Sequence, residues 1–143
     1  MIQRVREASV EVAGQTVGGI GRGLCVLACV ERGDDEAKAL RLAGKLAKLR
    51  IFEDADGKMN RSVQDVGGSL LVISQFTLAA DTSEGNRPSF TAAAPPAEAE
   101  PLYERLVRSL REDHRLEVAT GRFRTEMLVR IANDGPVTIS MQV

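Results

Sequence analysis

The chain has no tryptophan, a single histidine and only two cysteines, and each shortage removes a class of chemistry. Two thiols and one imidazole cannot complete a four-ligand zinc site unless acids or a second chain help. The histidine, His114, lies in Arg111-Glu112-Asp113-His114-Arg115, at the polar end of a predicted helix. A serine or cysteine hydrolase needs a base beside its nucleophile and an acid to orient that base. No such partner accompanies His114, so a solvated helix terminus is its expected place. Cys25 and Cys29 share the run Gly-Leu-Cys-Val-Leu-Ala-Cys-Val. In a strand they would point to one face roughly 13 Å apart, too far for a mutual disulfide. Both are expected to be buried small hydrophobes.

Long apolar runs are missing too. Nothing nears the roughly 18 residues of a membrane helix. The opening Met1-Ile2-Gln3-Arg4-Val5-Arg6-Glu7 has no apolar segment of the secretory kind, which makes the cytoplasm the expected compartment and a membrane partner unexpected. Neither sign of charge dominates: 19 basic against 20 acidic residues leave a net charge of −1. A global field that gathers nucleic acid is therefore absent, and an RNA role would need a local patch. There is no Walker A or Rossmann glycine pattern. Gly18-Gly19-Ile20-Gly21-Arg22-Gly23 precedes a strand, where phosphate loops precede helices, so a β-bend is expected. Asp54-x-Asp56-Gly57 lacks the further acids of a calcium loop and reads as a turn.

What is present suits an ordinary globular protein. With 143 residues, 43% hydrophobic and 27% charged, the chain is expected to be one domain spanning 1–143. Residues 2–12 and 16–20 are strand-like, and Leu24 to Val30 is a continuous apolar run suited to a strand covered on both faces. Asp34-Asp35-Glu36 offers a helix cap before Ala39, Leu40, Ala43, Leu46 and Ala47 at helical spacing. A strand is predicted over 49–53 and another over 70–76. The stretch 79–96, rich in Ala, Pro, Ser and Gly, is the longest irregular segment and a candidate functional loop. A second helix is predicted over 97–113, with Leu102, Leu106 and Leu110 on one face.

Two strands, 127–132 and 137–143, follow, the latter alternating Val137, Ile139, Met141 and Val143 with polar residues. Between them Asn133-Asp134-Gly135 signals a tight hairpin turn. Pro136 contradicts it, since it stands where ladder pairing should begin and has no N–H to give. The expected fold is α+β: a mainly antiparallel sheet with two helices packed on it.

Two polar stretches remain. Ser74-Gln75-Phe76-Thr77-Leu78 ends an apolar strand with a hydroxyl, an amide and a second hydroxyl. Alone it reads as a strand end whose Ser and Thr satisfy nearby backbone. Asn133-Asp134-Gly135-Pro136-Val137-Thr138 alone reads as an irregular hairpin. Together they resemble the two signature motifs of the D-aminoacyl-tRNA deacylase family. Gln3-Arg4-Val5, Arg50-Ile51-Phe52, Gly57-Lys58-Met59-Asn60, Arg87-Pro88-Ser89-Phe90 and Thr120-Gly121-Arg122-Phe123 resemble family stretches in family order. After Phe123 the family pattern has Gly-Ala, and this chain has Arg124-Thr125.

The resemblance implies a barrel-like sheet, a homodimer, no cofactor and no metal. The substrate it implies is the aminoacylated 3′ end of tRNA, whose D-aminoacyl ester is hydrolysed, glycyl-tRNA being a further substrate. Backbone N–H groups of Phe76 and Thr77 would hold the developing oxyanion, and the tRNA 2′-hydroxyl would activate water. Thr77 is the only side-chain nucleophile candidate, with no base in evidence to activate it. Ser74, Gln75, Asn133 and Arg4 would line or support the pocket, and Phe76 would face the adenosine. Gly135 and Pro136, through a cis bond, would reach into the partner's site and bind the substrate's α-amino group by backbone carbonyls. An L side chain would then collide with that backbone, while a D side chain or glycine would not. Two alternatives stand beside this reading: a non-catalytic dimeric module binding RNA or small molecules, and an editing relative specific for L-alanyl-tRNA.

Overall fold

Alternation within one short strand sets the layering. In β3 (Gly23–Ala28), Leu24 and Val26 point to one side and Cys25 to the other, and all three are fully buried or nearly so. That is why the run reads as continuously apolar. The structure, a computed structural model, describes residues 1–143. Its spine is β1 (Ile2–Val12). Along one edge, Ile2 to Val5 pair antiparallel with β3, and Ala8 to Val12 with β2 (Gln15–Ile20). The other edge pairs antiparallel with β8 (Leu128–Ile139).

Beyond β3 the sheet continues in parallel through β6 (Ser69–Ser74) to β7 (Val118–Thr120). Parallel neighbours need crossovers. These contain α1 (Glu36–Lys48), between β3 and β6, and α2 (Pro96–Glu112), between β6 and β7. A small ribbon, β4 (Phe52–Glu53) with β5 (Met59–Arg61), stands apart. The sheet curls until β7 meets β2: a Cβ added to Gly18 would lie 2.7 Å from the Thr120 carbonyl oxygen. Only glycine allows that approach, and it brings the sheet close to a closed barrel.

Two apolar layers result. Leu24, Val26, Leu70 and Val72 pack outward against Leu46, Leu106 and Leu110 of the helices. Val5, Val10, Cys25, Leu71 and Ile73 fill the inside of the curled sheet. The helices start where their caps dictate. The Asp35 carboxylate accepts from the Lys38 N–H at 2.8 Å, and α2 opens on Pro96, whose missing N–H would be unpaired there anyway.

Three expectations need correction. The strand predicted over 49–53 shrinks to Phe52–Glu53, because Leu49 caps α1. Cys29 is not buried: β3 ends at Ala28, and the thiol lies half-exposed beyond it. The hairpin is also absent. β8 is one strand, and β1 runs along all of it, with Glu7 opposite Ala132, Val5 opposite Asn133 and Gln3 opposite Thr138. β8 uses more residues than β1 between those last two pairs, and the surplus is thrown out as a bulge carrying Asp134, Gly135 and Pro136. Pro136 therefore costs no ladder bond.

Burial also sets a pH limit. The Tyr103 hydroxyl donates to the Val72 carbonyl oxygen at 2.8 Å, and burial pushes its phenol up to about 12. Burial likewise raises the Cys25 thiol from 9.0 to about 11. Both folded-state values lie above the unfolded ones. Their contribution is therefore complete below the unfolded values and is lost as pH rises through the folded ones. Stability should hold to about pH 9 and fall steadily above it. The chain has one tyrosine and no tryptophan, so phenolate absorbance reports Tyr103 alone. It should rise together with unfolding; a reversible titration near the ordinary tyrosine value in the folded protein would contradict this.

Candidate active site

At the end of β6 the Gln75 N–H donates to the Ala28 carbonyl oxygen at 2.8 Å, which keeps the chain beside β3 for one more residue. It then turns into a single 3-10 turn, Phe76–Ala79, closed by the Ala80 N–H on the Thr77 carbonyl oxygen at 3.2 Å. The first N–H groups of any helix lack intrahelical partners. Here the N–H groups of Phe76 and Thr77 donate to nothing within the chain. Two adjacent unengaged donors are what an oxyanion needs. The Thr77 hydroxyl accepts from the Gln75 side-chain amide. An amide cannot take up a proton at neutral pH, so Thr77 has no base at hand.

Ser74, Gln75 and Phe76 line a cavity of about 710 Å³, a size that suits a nucleoside-scale ligand. Phe90, Phe123 and Met127 supply more of its wall, and the Phe76 and Phe90 rings meet edge to face at 5.2 Å. Phe76 is 56% exposed, so an aromatic face is open to a base. The Cys29 Sγ lies 3.6 Å from the Phe76 carbonyl oxygen, beside the turn. Burial, then the Glu31 charge, pushes that thiol up, so it stays protonated at neutral pH.

The second group gathers at the β8 bulge. Arg4 is 7% exposed, and its Nε donates to the Asp134 carbonyl oxygen at 3.0 Å and its Nη1 to that of Ile51 at 2.7 Å. Arg6 adds a 3.2 Å ion pair to the Asp134 carboxylate. The Asn133 side-chain amide donates to Gln3 Oε1 and, at 3.3 Å, to Thr138 Oγ1. The Gly135–Pro136 bond is cis, and Gly135 has φ of 125°. Both residues are exposed.

The two groups are not brought together within one chain. Arg4 faces Leu24 near the start of β3, whereas Ser74 faces Ala28 at its end. The cavity beside Ser74 includes neither Gly135 nor Pro136. His114 sits elsewhere, past the end of α2, where its carbonyl oxygen accepts from Gln64. Nothing in the sequence around Phe90, Phe123 and Met127 gives these residues a role in a site. They arrive from loops and a strand start distant along the chain, and no local periodicity marks them.

A family model described as D-Tyr-tRNA(Tyr) deacylase matches residues 1–142. The D-aminoacyl-tRNA deacylase of Variovorax paradoxus is 62% identical over 143 residues, covering 100% of this chain and 97% of that one. That of Cereibacter sphaeroides is 58% identical over 142 residues, covering 99% and 97%. Among solved structures, the c-Myc DNA Unwinding Element Binding Protein is 40% identical with a TM-score of 0.94, covering 99% and 96%. A probable eukaryotic D-amino acid tRNA deacylase, at 16% identity and a TM-score of 0.80 over 94% and 93%, shares the fold. The resemblance carried by the two motifs and the collinear stretches around them extends over the chain's whole length, and the chain belongs to the D-Tyr-tRNA(Tyr) deacylase family.

Proposed function

We propose that the chain hydrolyses the ester between a D-amino acid and the terminal adenosine of tRNA, releasing free D-amino acid and tRNA. The observation that carries this reading is the pair of unengaged N–H groups at Phe76 and Thr77, in a turn whose first residue, Phe76, lines an aromatic cavity. Adenine enters among Phe76, Phe90 and Phe123, which sets the ester carbonyl beside the turn. Water, activated by the ribose 2′-hydroxyl, adds to that carbonyl, and the two N–H groups stabilise the oxyanion. Collapse breaks the bond to the 3′-oxygen, which takes a proton as it leaves. An aminoacyl ester is already activated, so positioning and oxyanion stabilisation carry most of the work.

In this proposal the enzyme is a homodimer, because Gly135 and Pro136 of the partner subunit complete each site. Their carbonyl oxygens accept the substrate's α-amino group, and an L side chain is driven into the same backbone. Glycine has no side chain to exclude, so glycyl-tRNA is a substrate as well. Arg4 supports the bulge through Asp134. In support of the dimer, β8 buries none of its residues and leaves Leu128 52% exposed. One specific observation favours a second reading, nucleic-acid binding without catalysis: the 40%-identical relative is described as a DNA-element binding protein.

Incubation with D-Tyr-tRNA in excess chelator separates the two readings. Hydrolysis is expected, and neither chelation nor His114→Ala should slow it by more than about tenfold, ~1.4 kcal/mol of barrier. Binding of the tRNA without turnover would support the second reading and overturn the first.

A further inference from the structure

We propose that Arg124 docks the phosphodiester joining the last two nucleotides of the acceptor strand, and so sets how tightly this enzyme holds its tRNA. The proposal rests on the deacylase reading for the identity of the substrate, and on the cavity itself for its geometry. Arg124 is the one charged residue on the wall of the cavity that holds Ser74, Gln75 and Phe76. The rest of that wall is apolar, aromatic or uncharged. A base that stacks inside leaves its own 5′-phosphate at the mouth, and a guanidinium there meets it.

Two local features prepare Arg124 for this. Its backbone is left-handed, with φ of 58°, an uncommon conformation for a long side chain. The turn is held by Thr125, whose N–H and hydroxyl both donate to the Arg122 carbonyl oxygen, at 3.4 and 3.0 Å. The guanidinium itself makes no hydrogen bond and no ion pair, whereas those of Arg4, Arg6, Arg105 and Arg130 are engaged. An unengaged guanidinium is exposed and free to fork onto two phosphate oxygens without giving up an existing partner.

Equilibrium binding of cytidylyl-(3′→5′)-adenosine and of adenosine, by titration calorimetry on the intact protein, tests the proposal without relying on turnover. The parent should bind the dinucleotide more tightly, and its affinity for it should fall with a measurable salt slope as screening weakens the ion pair. Arg124→Gln should weaken the dinucleotide by about tenfold, remove that slope and leave adenosine unchanged. Arg124→Lys should keep the slope. With D-Tyr-tRNA, Arg124→Gln should raise KM and leave kcat unchanged. Equal parental affinity for the two probes, an unchanged dinucleotide affinity in Arg124→Gln, or equal loss for both probes overturns the proposal. Failure of the deacylase reading would look different: no turnover with parent or variant, whatever the probes show.

Discussion

Replacing Gly135 by alanine is expected to cut D-aminoacyl-tRNA hydrolysis by about a hundredfold, the size of effect that a misplacement of about 1 Å produces. Gly135 has φ of 125°, a region closed to residues with a Cβ. The added methyl would also lie 2.9 Å from Val137 Cγ2 and 3.0 Å from Arg4 Nη2. Forcing such a backbone costs about 1–3 kcal/mol, and the bulge can relieve it by moving. Because the bulge is exposed and outside the core, the sheet should survive. Urea unfolding should show that modest loss of stability while kinetics show the much larger loss of rate. Parental activity in Gly135→Ala would mean that the bulge takes no part in catalysis.

Mixing two inactive proteins should restore activity. Phe76→Ala damages the cavity side of a site, and Gly135→Ala damages the bulge side. If each site takes its cavity from one subunit and its bulge from the other, a mixed dimer has one site carrying both lesions and one carrying none. Random re-pairing of equal amounts should then recover about a quarter of parental activity, where either protein alone has almost none. Dilution that separates the subunits should abolish parental activity without loss of secondary structure. No recovery on mixing, or a fully active monomer in sedimentation and kinetics, would show that one chain holds a complete site.

How far the sequence told this in advance differs from element to element. The two helices and the opening strands were legible because their apolar period is local: Leu106 and Leu110 share a face, and Asp35 caps by its own side chain. The parallel pairing of β3 with β6 was not legible, since a buried strand reads the same whichever neighbour it has. The bulge at Asp134 to Pro136 was missed for a related reason. Asn-Asp-Gly carries real turn chemistry, yet β1 continues alongside, and long-range pairing on both sides of the turn outweighs it.

The candidate site divides the same way. Ser74, Gln75 and Phe76 announced themselves as polar and aromatic residues ending an apolar strand. The cavity opposite Phe76 did not, because Phe90 and Phe123 reach it from separate loops. Cys29 belongs to the same apolar run as Cys25, yet β3 stops at Ala28, and nothing in the run marks that end.

Selection by chirality is tested by parallel hydrolysis of D-Tyr-tRNA and L-Tyr-tRNA by the intact protein under one set of conditions. D-tyrosine should be released rapidly, while the L-ester decays at its spontaneous rate. Comparable rates on the two esters, or a preference for the L-ester, would contradict it.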